Sequence, residues 1–275
     1  MIRRGFAEIA EGQVHYRMAG QGGRPLVMLH ASPGSSRQLV TLIQALARSR
    51  RTIAPDTLGN GDSCPAAPAE PDIHYYADTM LRFLDALGLE RVDLYGTHTG
   101  ASIAMEMAIA RPDRVGRLIL DGMGLYSPDE LADILSAYAP AVAPDQGGAQ
   151  LWWAWHFVRD QYQYWPWFKR DAAHARGCGL PEPGELHAQV VEVLKAVTTY
   201  HLSYRAAFRH PKRDRLPLVP VPALAAAERD DMLFGYLDEV ARLLPGGRRA
   251  ELPGHATPEA AGATAALLAD FLDAG

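Results

Sequence analysis

YADTMLRFLDALGLERVDLYGTHTGASIAMEMAIARPDRVGRLILDG, residues 76–122, decides the fold. Asp72 stands where a helix N-cap belongs. Ile73, Tyr76, Ala77, Met80, Leu84 and Leu87 follow at helical spacing, and Gly88 sits at the stop. Arg91–Tyr95 reads as a strand and Gly96–Gly100 as a turn bounded by glycines. Ala101–Ala110 reads as a buried helix of small residues, and Arg117–Asp121 as another strand. Working outward, Pro25–His30 is a continuous apolar run, as a strand buried on both faces requires, and Arg51–Pro55 is a further strand. Strands alternating with helices imply a parallel sheet with right-handed crossovers, an α/β fold.

The rhythm breaks after Asp121. Residues 122–215 show helical stretches without a clear strand, and all five tryptophans fall between Trp152 and Trp167. This segment is expected to be an inserted helical cap. Pro211, Pro217, Pro220 and Pro222 mark the return to the sheet. Val221–Ala227 and Arg248–Leu252 read as strands, and Thr257–Leu272 as a closing amphipathic helix. The expected organisation is a core from residues 1–121 and 216–275, with the cap at 122–215.

The 275 residues suffice for one large domain with an insertion. The net charge of −5, without a basic run, argues against a nucleic-acid partner. Cys64 and Cys178 are too few for a disulfide scaffold. Glu8 and Glu11 interrupt any signal-peptide core, and no apolar run is long enough to span a membrane, so the expected location is cytoplasmic. A homodimer stays open.

Five ordered motifs resemble the α/β-hydrolase fold family. Gly96-Thr97-His98-Thr99-Gly100 resembles its G-x-S-x-G nucleophile elbow, with histidine in place of serine. His30-Ala31-Ser32-Pro33-Gly34-Ser35 is similar to the His-Gly-x-Pro-Gly-Ser loop after the third strand, in which His30 is structural. Pro55-Asp56-Thr57-Leu58-Gly59-Asn60-Gly61-Asp62-Ser63 is similar to Pro-Asp-x-x-Gly-x-Gly-x-Ser. Glu228-Arg229-Asp230-Asp231 follows a strand where the family often has Gly-Glu-x-Asp. Gly254-His255 with Glu259 is similar to Gly-His-x-x-x-Glu. The resemblance implies a mostly parallel eight-stranded sheet flanked by helices, with the helical cap inserted.

It also implies a site: His98 at the elbow, His255 as the base and Asp230 as the acid that orients it, with Asp231 and Asp121 as alternative acids. The N–H of Thr99, at the start of a helix, and that of Ala31 or Ser32 are the expected oxyanion donors. Three roles for His98 are open. A neutral imidazole can attack a carbonyl and form a labile acyl-imidazole. Alternatively His98 donates hydrogen bonds or moves protons while His255 acts on water or substrate, as resembles the lyases and cofactor-free dioxygenases of this fold. A third role is ligand binding without catalysis. Two histidines and a carboxylate can in principle hold a metal, but the family's layout does not use one, so neither metal nor cofactor is expected. Trp152, Trp153, Trp155, Tyr162 and Trp165 are the expected substrate contacts, and an aromatic lining favours a small apolar or aromatic substrate. The leading expectation is a cofactor-independent hydrolase of an ester, lactone or similar carbonyl compound.

Overall fold

A computed structural model describes residues 1–274. The elements are β1 (Arg3–Ile9), β2 (Gly12–Ala19), β3 (Leu26–Leu29), α1 (Val40–Leu46), β4 (Thr52–Pro55), α2 (Ile73–Ala86), β5 (Val92–Thr97), α3 (Thr99–Ala110) and β6 (Val115–Asp121). Then come α4 (Pro128–Ala137), α5 (Ala149–Gln163), α6 (Pro183–Lys195), α7 (Tyr200–Arg209) and α8 (Lys212–Arg215). The chain returns to the sheet with β7 (Ala223–Glu228), α9 (Leu237–Leu243), β8 (Arg248–Leu252) and α10 (Pro258–Asp273).

The eight strands form one sheet in the order β1-β2-β4-β3-β5-β6-β7-β8. β1 and β2 form an antiparallel hairpin, β2 pairs antiparallel with β4, and the remaining pairs are parallel. The central strands are buried on both faces, so their side chains feed two separate cores. Val27, Leu29, Leu94, Leu118 and Leu120 pack with α2, α3 and α9. Met28, Tyr95 and Ile119 pack on the opposite face against Leu42 and Leu46 of α1 and Leu268 and Phe271 of α10. The order of β3, β5 and β6 brings the loop after β3, the turn after β5 and the end of β6 side by side at one sheet edge, which is where a ligand crevice belongs in such folds.

Local signals place the helix ends. The Asp72 carboxylate accepts from the Tyr75 N–H at 2.8 Å, and Gly88 takes a left-handed conformation with φ of 64° just past the end of α2. Between β6 and β7 lie only helices and loops, starting with a reciprocal Ser127–Glu130 capping box on α4. Tyr138, Ala154, Phe157, Trp167, Leu186, Val190 and Tyr200 form a third apolar cluster inside this helical segment. Polar contacts fasten it to the sheet domain. Arg37 donates twice to Glu185 at 3.1 and 3.0 Å, Lys195 pairs with Asp62 at 3.0 Å, and the Thr199 hydroxyl donates to the Gly59 carbonyl at 2.6 Å. Among the described residues no helix is long and apolar enough to cross a membrane.

Candidate active site

β5 ends at Thr97 and α3 begins at Thr99, so the chain reverses its direction within one residue. That residue, His98, has φ of 52° and ψ of −108° and is the one described non-glycine residue with positive φ. Such a conformation costs on the order of 1–3 kcal/mol and holds the side chain above the sheet edge. The two flanking glycines are there for space: a Cβ on Gly96 would lie 2.2 Å from the Gly100 carbonyl oxygen, and one on Gly100 would lie 2.3 Å from that of Leu29.

The imidazole of His98 lies against Gly122, whose own φ is 63°. A Cβ there would stand 2.5 Å from Cδ2 and 2.6 Å from Nε2 of His98, and 3.2 Å from a carboxylate oxygen of Asp231. His98 Nε2 is 2.7 Å from that oxygen, Asp231 Oδ2. The Leu233 N–H donates to the other Asp231 oxygen at 2.6 Å and fixes the carboxylate. Burial works against a charged His98, but the attraction of Asp231 and its hydrogen bond outweigh it, with Asp121 and Glu228 adding, and the pKa is raised. Burial likewise opposes charge on Asp231, and the pull of His98 overcomes it, so this carboxyl stays below its usual range.

His255 forms a second pair, its Nδ1 2.9 Å from Glu228 Oε1 at the end of β7. Here too burial is overcome, by the hydrogen bond and charge of Glu228, and the His255 pKa is raised, while the charge of His98 acts in the opposite direction. Asp121, at the end of β6, accepts a hydrogen bond from the buried Tyr95 hydroxyl. Burial pushes its pKa up to about 7; the Tyr95 bond opposes this and the nearby Asp231 charge reinforces it.

His98, Asp121, Glu228, Asp231 and His255 all line one cavity of about 1080 Å³ between the sheet edge and the helical segment. Asp230 does not: it is exposed and turned away, and only its backbone carbonyl is engaged, by Arg176 at 2.7 Å. The expectation that Asp230 sits beside His255 is therefore corrected. The turn in which the Asp231 N–H bonds to the Glu228 carbonyl at 3.0 Å rotates the neighbouring aspartate inward instead.

Ala31, Ser32 and Thr99 line the cavity as expected. The Thr99 N–H belongs to the first turn of α3 and has no intrahelical acceptor. The Ala31 N–H is already given to Gln38 Oε1 at 3.2 Å, which removes it as a free donor. His30 is structural: it is buried, its Nε2 accepts from the Thr57 N–H at 2.9 Å, and its Nδ1 lies 2.7 Å from the Ala31 carbonyl.

Of the expected aromatic contacts, Tyr162 and Trp165 line the cavity. Trp152 and Trp155 do not; they stand on the outer face of α5, and Trp152 is 69% exposed. Trp153 stacks on Phe157 inside the helical segment, with ring centroids 4.8 Å apart. Tyr126, Tyr138, Tyr204 and Phe208 complete the aromatic wall. Glu228 was visible in the motif after β7 without an assigned role, while Gln38 and Lys212 gave no sequence signal. Two other groups of side chains approach metal-ligand spacing, His74–Glu106–His210 and His15–Asp56–Asp62, but neither borders the cavity. Glu106 is held by a two-bond contact from Arg215 at 2.8 and 2.7 Å and by His210, and Asp56 by His15 and two backbone N–H groups.

With this geometry in view, residues 24–166 match the family model for the alpha/beta hydrolase fold. The chain belongs to the α/β hydrolase fold family. The chain is 41% identical over 128 residues to a 2-hydroxymuconate semialdehyde hydrolase of Pseudomonas sp. (strain CF600), a match covering 44% of each chain. It is 38% identical over 136 residues to a 2-hydroxy-6-oxononadienedioate/2-hydroxy-6-oxononatrienedioate hydrolase of Paraburkholderia xenovorans (strain LB400), covering 46% of each. The chain thus spans less than half the length of these curated relatives. Among solved structures it resembles the enol-lactonase from Burkholderia xenovorans LB400, with a TM-score of 0.75 and 21% identity over 98% of this chain and 100% of that one. An N-acyl homoserine lactonase matches with a TM-score of 0.74 and 22% identity over 99% and 96%. At these identities the structural likeness concerns the fold.

Proposed function

We propose that this protein is a cofactor-independent hydrolase of a small ester, lactone or similar carbonyl compound with an apolar or aromatic body, working without a covalent intermediate. The observation that carries this reading is the pair of imidazole–carboxylate couples, His98–Asp231 and His255–Glu228, on one cavity wall at the elbow. In a serine-type site one such couple activates a hydroxyl. Here the hydroxyl is absent and a second couple stands in its place.

The two couples divide the work. With its Nδ1 proton held by Glu228, His255 offers the lone pair of Nε2 to a water molecule and takes a proton as the water oxygen attacks the carbonyl carbon. His98 favours the imidazolium form because Asp231 faces it. Its Nδ1 has no hydrogen-bond partner among the described residues, so the Nδ1 proton is available to the carbonyl oxygen as negative charge develops there. The Thr99 N–H, backed by the α3 dipole, is a second donor at the same edge. The His255 proton then passes to the leaving oxygen as the tetrahedral intermediate collapses. A covalent route through His98 is disfavoured because the facing Asp231 favours the imidazolium, in which neither ring nitrogen has a lone pair free to attack a carbonyl.

Val158, Leu180, Phe208 and Leu233, with Tyr138, Tyr162 and Trp165, supply the apolar and aromatic lining for the substrate body. The names of the similar proteins support the carbonyl class, since they describe hydrolases of oxo acids and a semialdehyde and an enol-lactonase.

The test is a screen of aryl esters and lactones followed by substitution. His98→Gln is expected to keep partial activity, with a loss of about 10²- to 10⁴-fold, because the amide replaces one hydrogen bond but not the charge. His255→Ala should abolish turnover. Acyl-His98 trapped by rapid quench and found by mass spectrometry would overturn the non-covalent mechanism. Full activity in both variants would overturn the site itself.

A further inference from the structure

The chain contains three lysines, at 169, 195 and 212. Two are ordinary surface cations: Lys169 pairs with Asp133, and Lys195 with Asp62 at 3.0 Å and Glu192 at 3.2 Å. Lys212 differs in every respect. It is 8% exposed and lines the cavity that holds His98 and His255. Its Nζ lies 5.9 Å from the centre of the Tyr126 ring and donates to the Ala207 carbonyl near the end of α7. No carboxylate faces it among the described residues: Glu239 is taken by Arg213, and Glu106 by Arg215 and His210.

A buried ammonium without a counter-ion is costly, and the least expensive relief is to release the proton. Burial, helped by repulsion from Arg213, pulls the Lys212 pKa down to about 8. A desolvated amine of this kind is a nucleophile. A purely structural role exists as well, since Nζ satisfies a carbonyl in the last turn of α7 that has no intrahelical donor.

We propose that Lys212 is a carbonyl-trapping residue of the cavity, forming a reversible imine with ligands that carry an aldehyde or ketone. Nζ attacks the carbonyl carbon, a C–N bond forms, and a proton passes from nitrogen to oxygen to give a carbinolamine. The C–O bond then breaks and the oxygen leaves as water, carrying both hydrogens of the original amine. No oxidant or reductant is needed, and water reverses the step. The proposal rests on the cavity and its lysine and is independent of the hydrolytic reading.

Trapping with benzaldehyde and cyanoborohydride at pH 7, followed by peptide mapping, tests it. At that pH an amine titrating near 8 is unprotonated roughly 300 times more often than an ordinary lysine. Lys212 is therefore expected to gain one benzyl group roughly a hundredfold faster than Lys169 or Lys195. Lys212→Met, checked by circular dichroism and thermal melting, should lose only that label. His255→Ala should retain it, which separates this inference from the fate of the hydrolase mechanism. Labelling of Lys212 no faster than of Lys169, or no labelling with either benzaldehyde or the smaller acetaldehyde, would overturn the proposal.

Discussion

Replacing Asp121 by asparagine removes a buried carboxyl from the end of β6 without changing its shape, and Tyr95 can still donate to the amide oxygen. In the folded protein this carboxyl titrates near 7, against 3.8 as its ordinary value. The folded state therefore holds the proton more tightly than the unfolded chain. This contribution to stability is fully present below the unfolded pKa and is lost as pH rises through the folded one. The shift of about 3 units corresponds to about 4 kcal/mol, an upper bound because removing the Asp121 charge also weakens the neighbouring imidazolium cations. The amide of the Asp121→Asn variant cannot ionise. The stability difference between variant and wild type should thus grow by about 1.4 kcal/mol per pH unit above about pH 4 and level off just above about pH 7, with the variant the more stable. Urea unfolding of both proteins at about pH 5, 6, 7 and 8 measures this directly. A difference that stays flat across the series, or a variant less stable at the alkaline end, would refute the reasoning.

Two further substitutions separate neighbouring roles. Asp231→Asn should lower kcat by about 10²-fold or more by removing the charge that faces His98, whereas Asp230→Asn should leave steady-state kinetics near wild type; the reverse ranking would restore Asp230 as the acid. Gln38→Ala should free the Ala31 N–H for a developing oxyanion and raise kcat with little change in KM, and a fall in kcat would show instead that the Gln38 amide positions the loop.

The block from α2 to β6 was legible because its strands are buried on both faces, which leaves unbroken apolar runs, and because the elbow turn admits only glycine at 96 and 100. The β1–β2 hairpin was invisible to the same reasoning. β1 is a largely exposed edge strand that begins Arg3-Arg4, so it carries no apolar run. The choice among the carboxylates after β7 could not be read because neighbouring acids are equivalent as letters; the turn that follows Glu228 decides which one faces His98. Trp165 lines the cavity as expected, but Trp152 and Trp155 were misplaced for a reason the sequence does contain. Ala154, Phe157, Val158 and Gln161 recur at helical spacing, so the inward face of α5 turns away from Trp152 and Trp155.

Gly122 gives the histidine elbow a second position in the sequence. A side chain there would occupy the space now filled by Cδ2 and Nε2 of the imidazole and would crowd the carboxylate bound to it. Histidine at residue 98 and glycine at residue 122 thus act as a lock and its clearance, separated by one helix and one strand. A serine elbow, with its shorter side chain, makes no such demand on space, and there only the φ of 63° at residue 122 would still favour glycine. A sequence with histidine between the elbow glycines but a bulky residue after the Asp that closes the next strand must therefore point its imidazole elsewhere. The two positions read together form a sharper search pattern for proteins built on this site than the elbow alone.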